Sequence, residues 1–143
     1  MEFITNTMDR VNWWAIIVAT LSTMPVGYVW YDLKMGFGKR WAKLVGLKEK
    51  DMQNSDGMAS RFAVMLLLSF ISAVLITCLV ITLDISGLWN SLIFGVLIGF
   101  FLRGAAHFIH NGFSKKSSEL SWIDAGHDTV SVAVMTIIIS LWR

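Results

Sequence analysis

Two short stretches hold the chemistry of the chain's second half. RGAAHFIHNGF supplies Arg103, His107 and His110, and WIDAGHDTVS supplies Asp124, His127 and Asp128. On an α-helix, positions 103, 107 and 110 project within roughly 60° of one another. Asp124, Asp128 and Ser131 form a second stripe, with His127 beside it. Three imidazoles and two carboxylates are the ligand types of a divalent metal site. His107, His110, His127, Asp124 and Asp128 are therefore a candidate metal set, and with it a metal-dependent membrane enzyme is one reading. The spacing is loose, and Arg103 beside the set would repel a cation. Histidine next to aspartate also suits proton or ion handling, because imidazole changes charge near neutral pH. Arg103 with the histidines suits an anionic small molecule or a lipid head group. The plainest reading is an ion-paired knot that locks two helices together. Arg103 needs a carboxylate in any of these, and Asp124, Asp128 and Asp32 are the candidates.

The elements that must carry these residues are read from the spacing of charge. The 22 residues between Arg61 and Asp84 contain no ionisable side chain except Cys78. At ~1.5 Å per residue they make ~33 Å of helix, enough for a hydrocarbon core of ~30 Å. The same test predicts spans over 11–31, 62–83, 87–109 and 122–142. The last is the least apolar, because Asp124, His127 and Asp128 occupy its first turns. The fold expected is all-α: a single domain of four transmembrane helices.

Loop one adds a fifth helix over 37–46. Phe37, Trp41, Leu44 and Val45 fall on one side of it, and Lys39, Arg40 and Lys43 on the other. That pattern predicts a short amphipathic helix lying in the headgroup layer as an anchor on anionic lipid. Gly36, Gly38 and Gly46 would turn the chain in and out of it. Beyond it a polar stretch, KEKDMQNSDGMAS, reads as an exposed loop, with Asp56 or Ser60 capping the second span. Loop one also carries Lys34, Lys48, Lys50 and Arg61, and loop three carries Lys115 and Lys116. The second loop, near Asp84, has neither Lys nor Arg. The positive-inside rule then puts loops one and three in the cytoplasm and both termini outside. Six of the tryptophans fall near span ends, as an aromatic belt requires.

Several classes are disfavoured. A net charge of +2 without a basic run does not fit nucleic acid. One cysteine forms no internal disulfide. MEFITNTMDR is not a secretory leader, so the first span is expected to stay. No catalytic triad, phosphate loop or nucleotide fingerprint is present. Gly95 and Gly99, with Ser91 one turn before, have the spacing that lets helices approach closely. Four short spans also enclose little interior, so a homo-oligomer is expected, alongside the lipid bilayer and a small ligand or ion as partners.

NWWAIIVAT, then GYVWYDLKMGFGKRWAKLVGL, a glycine-bearing third span and IDAGHDTVSVAVM together resemble the bacterial family of domain-of-unknown-function 1761. The most specific part is Trp30-Tyr31 followed by Phe37-Gly38-Lys39, Trp41, Leu44 and Gly46. The resemblance implies a small four-helix protein of the bacterial inner membrane, with no assigned activity. Members of that family often carry serine and proline where this chain has Asp32 and Leu33. They also often place an aromatic residue and then histidine near the start of the last helix, where this chain reads His127-Asp128.

Overall fold

The span richest in polar residues is the one the protein buries most. The computed structural model describes residues 9–48 and 57–142. Within them the helices are α1 (Trp13–Trp30), α2 (Gly38–Val45), α3 (Met58–Thr82), α4 (Leu88–Phe113) and α5 (Ser118–Leu141), and there is no strand. All but α2 are long and apolar enough to cross a membrane. The protein is thus all-α and multi-pass. Half of α5 is buried inside the protein, against 17–28% of each other span. α5 packs on α1, α2, α3 and α4, so its Ser, Thr, Asp and His side chains face protein rather than lipid. That location explains how a helix of low hydropathy stays in the membrane.

The helices begin and end a little differently from the spacing of charge. α3 starts at Met58, before Arg61, behind Gly57 at φ 70°. Ser60 does not act as the predicted cap, since its hydroxyl donates to the Gly57 carbonyl; the other predicted cap, Asp56, lies outside the described residues. Lys50, most of the polar stretch after α2 and residues 1–8 lie outside them too. α4 and α5 reach closer to each other than predicted, leaving only 114–117 between them. Asn12 caps α1 by accepting from the Trp14 and Ala15 N–H groups, and its amide donates to the Trp142 carbonyl at 2.6 Å. The start of α1 and the end of α5 therefore share one end of the bundle.

At that end α1, α3 and α5 enclose an apolar core of Ile16, Ala19, Ala73, Ile76, Val80, Val132, Met135 and Ile139. The hydroxyls among them fold back on their own helices: Thr20 on Ile16, Thr77 on Ala73 and Thr136 on Val132. Among the described residues, no buried side-chain nitrogen or oxygen lacks a hydrogen-bond partner.

α4 joins this trio along α5. A Cβ built on Gly95 would stand 2.6 Å from the Ala133 Cα, and one on Gly99 would stand 2.8 Å from the Thr129 Cα. One on Gly104 would meet the Ala125 Cβ at 3.1 Å. The α5 partners 133, 129 and 125 step by four, but the α4 glycines step by four and then five. The extra residue is absorbed by a π-helical turn at Gly99–Gly104. Such a turn winds more slowly than an α-helix and so keeps the small face of α4 on α5. The seam of Gly95 and Gly99 is therefore used between α4 and α5 of this chain.

Candidate functional site

Asp128 stands midway along α5, and three basic side chains converge on it. Its Oδ1 lies 3.3 Å from Arg103 Nη2 and 3.5 Å from His127 Nδ1, and its Oδ2 lies 3.1 Å from His107 Nε2. The Asp128 side chain is 14% exposed, that of Arg103 42%. The π turn sets this up: it carries Arg103 itself and re-phases the α-helix that holds His107. Closer to the loop, Asn111 donates to the Ser121 hydroxyl, which donates to the His107 carbonyl. These bonds pin the two helices at the level where His107 reaches across.

Asp124, one turn nearer the loop, belongs to a different set. Its Oδ1 accepts from the Tyr31 hydroxyl at 3.0 Å and from the Trp41 indole N–H at 2.9 Å. The expected pairing of Asp124 with Arg103 is thus not formed, because two neutral donors from the end of α1 and from α2 already hold that oxygen. Trp30 adds an indole N–H to the Ile123 carbonyl at 3.0 Å, with its ring over Gly126. A Cβ at 126 would stand 2.7 Å from that ring. Tyr31 packs edge-on to Trp41 and beside the His127 ring, and Trp30 tilts against Phe37.

Asp32 is not a partner of Arg103 either. Its Oδ1 accepts from the backbone N–H groups of Met35 at 2.7 Å and Lys34 at 2.8 Å. Those two bonds, Met35 first, hold its carboxyl below the usual carboxylate value. This side chain folds the turn after α1. Gly36 and Gly38 complete the turn where backbone crosses backbone: a Cβ on Gly38 would sit 2.2 Å from the Tyr31 carbonyl oxygen. α2 is then seated on the protein through Gly38 and Ala42, which are buried, and through an ion pair of Arg40 with Glu119. It is docked on α5 as well as amphipathic.

His110 is exposed and stands outside both sets, so the predicted stripe of 103, 107 and 110 is broken at its last member. Among the described residues no three His, Cys, Asp or Glu side chains are grouped to hold a metal ion. The set of His107, His110, His127, Asp124 and Asp128 is not assembled: Asp124 faces Tyr31 and Trp41, and Arg103 occupies the Asp128 carboxylate beside the imidazoles.

Against this cluster lies a cleft of about 1220 Å³. The second half of α1 and its following turn form one side, from Thr23 to Met35. Phe62, Met65 and Ser69 of α3 face them, and Arg103, His127 and Ser131 come from α4 and α5. The cleft occupies the half of the bundle that the apolar core does not fill. Trp30 marks the level of Ile123 through its hydrogen bond, and Asp128 is five residues further along α5, ~7 Å deeper at 1.5 Å per residue.

The tight turn, the aromatic pair before it and the Phe-Gly-Lys run after it form the brace around Asp124. The model of a protein family described as a protein of unknown function, DUF1761, matches residues 14–140. The chain belongs to the DUF1761 family. The match covers the elements of both carboxylate sets, from α1 through the π turn to α5. Comparison with curated proteins finds no match, and comparison with solved structures finds none. In this DUF1761 chain, Tyr31, Trp41 and Trp30 are the site residues that the search for ionisable groups passed over. Their signal was present in the Trp-Tyr…Phe-Gly-Lys-x-Trp run, whose donors need an acceptor on another helix.

Proposed function

We propose that this protein binds a small ligand in the cleft beside Arg103, His127 and Asp128, within the membrane. The observation that carries this reading is the cleft itself. A water needs only ~30 Å³ and drug-sized ligands occupy pockets of ~300–1,000 Å³, so the volume suits a molecule rather than a bare ion. An arginine at the centre of a span costs about 2.5–3.5 kcal/mol on insertion scales and less nearer the interface, and here its single Asp128 contact offsets part of that cost. A knot meant only for stability would close over such a pair. Here the arginine is 42% exposed and lines the cleft.

Conduction of an ion through one chain is less well supported. The dry core at the far end of the bundle offers no polar continuation beyond Ser131, since its hydroxyls are bonded to their own helices. The setting we infer is the cytoplasmic membrane of a bacterium, with loops one and three inside and both termini outside, from the Lys and Arg of those loops.

The test pairs binding with flux. In liposomes loaded with a pH-sensitive dye, the protein should pass no protons beyond the lipid background. In thermal unfolding, at least one of a set of anionic probes, compact and alkyl-chained, should stabilise the wild type and not Arg103→Gln. Proton flux that disappears in Asp128→Asn would replace binding by conduction. Failure of every probe, with Arg103→Gln and Asp128→Asn merely melting earlier, would leave the cluster as a helix lock.

A further inference from the structure

We propose that the ligand of this cleft is a single-chain amphiphile with an anionic carboxylate or phosphate head. The inference rests on the binding reading above and names its ligand class.

Charge comes first. Four charged side chains line or back the cleft: Asp32, Lys34, Arg103 and Asp128. Both carboxylates have partners within the protein, Asp128 at both oxygens and Asp32 at Oδ1. Asp32 is held by two backbone N–H groups, and both oxygens of Asp128 are engaged by Arg103, His127 and His107. The cations are less committed. Lys34 is exposed at the mouth, and Arg103 spends one nitrogen on Asp128 out of a fork with five N–H donors. What the cleft offers a newcomer is donors and positive charge, and guanidinium matches planar carboxylate or phosphate oxygens. The Tyr31 hydroxyl has already given its proton to Asp124 and has no donor left for a ligand.

The walls set the rest of the ligand. Met24, Met35 and Met65 line the cleft together with Phe62 and Leu33. Unbranched thioethers adapt to irregular apolar shapes and suit a flexible alkyl chain. Met24, Phe62 and Met65 belong to spanning helices, while Leu33 and Met35 close the loop end, so an alkyl chain would enter between the helices from the bilayer. A compact hydrophilic anion would leave these apolar walls unmet, and a cationic amphiphile would face Arg103.

The experiment uses the full chain in phosphatidylcholine nanodiscs, titrated calorimetrically with dodecanoate, dodecyl phosphate, dodecanol, dodecyltrimethylammonium and butyrate. Dodecanoate, dodecyl phosphate or both should bind saturably at one per chain, and the tighter of the two identifies the head. Arg103→Gln should weaken that binding by about tenfold or more, worth about 1.4 kcal/mol, with Arg103→Lys between. Met65→Trp, which fills the cleft without touching the cluster, should weaken it similarly while leaving the fold intact. Equal binding of dodecanol or the ammonium probe would overturn the proposal, as would affinity unchanged in both Arg103→Gln and Met65→Trp. Butyrate binding as tightly as dodecanoate, and lost in Arg103→Gln, would overturn the amphiphile and leave the ligand site standing. Silence from every probe would overturn both.

Discussion

Gly99 of α4 lies directly against the backbone of Thr129 of α5, where a Cβ would come within 2.8 Å of the threonine Cα. One residue after Asp128, the chain therefore has no space for even a methyl group on the facing helix. Contact this close brings Arg103 and His107 within reach of one carboxylate. Gly99→Ala should cost about 1–3 kcal/mol through overpacking. Gly112→Ala, with nothing within 4 Å of its would-be Cβ, should be neutral or stabilise by about 0.5–1 kcal/mol. Thermal unfolding of the two variants in the same detergent checks both, and a Gly99→Ala protein as stable as wild type would mean that the helices are not this close.

The Asp128 carboxylate is the shared partner of Arg103, His107 and His127. Breaking a fully buried pair costs about 3–5 kcal/mol, and the exposure of Arg103 lowers this to about 1–3 kcal/mol. Asp128→Asn should show that loss. The double variant Asp128→Asn, Arg103→Gln should recover part of it, because no charge is then left without a partner. Denaturation midpoints of the four proteins measure the coupling.

Tyr31 and Trp41 both donate to the same oxygen of Asp124. Hydrogen bonds to a charged acceptor contribute about 1.5–3 kcal/mol, so Tyr31→Phe and Trp41→Phe should each cost up to that amount. Their effects should not add, since either donor alone still satisfies the oxygen. Proteolysis in the loop that follows α2 gives a second readout: loosening the Trp41 contact should free α2 and raise cleavage in Trp41→Phe more than in Tyr31→Phe.

Asp32 sets a pH dependence at the acid end. Its folded value is lowered by the Met35 and Lys34 N–H groups, so the stabilisation it provides is present above the ordinary carboxylate range. That stabilisation is lost as pH falls through the lowered folded value. Wild type should therefore exceed Asp32→Asn in melting temperature at neutral pH, with the gap closing in strong acid. A gap that widens on acidification would show the opposite sign and contradict the turn geometry.

Arg40 and Glu119 form an exposed ion pair between α2 and α5. Such pairs contribute about 0–1 kcal/mol. Arg40→Ala should leave stability almost unchanged even though it joins the same two helices as Trp41 and Asp124. An effect larger than that of Trp41→Phe would mean that charge rather than the aromatic brace seats α2.

Uncharged runs long enough for a hydrocarbon core determined the four spans from sequence alone, because burying ionisable groups in lipid is costly wherever they fall. The amphipathic spacing of Phe37, Trp41, Leu44 and Val45 likewise determined the short helix of loop one. The histidine and aspartates at the start of the last span made it the least apolar of the four, and the structure encloses it most. Which carboxylate each basic group meets was decided only by the tertiary structure. A sequence-derived stripe assumes 3.6 residues per turn throughout, and the π turn at Gly99–Gly104 breaks that count just where Arg103 sits. Asp124 and Asp128 look equivalent by spacing, but Tyr31 and Trp41 arrive from distant positions and claim the first, leaving the second to Arg103, His107 and His127. Such pairings depend on contacts between residues far apart in the chain, and no local periodicity encodes them.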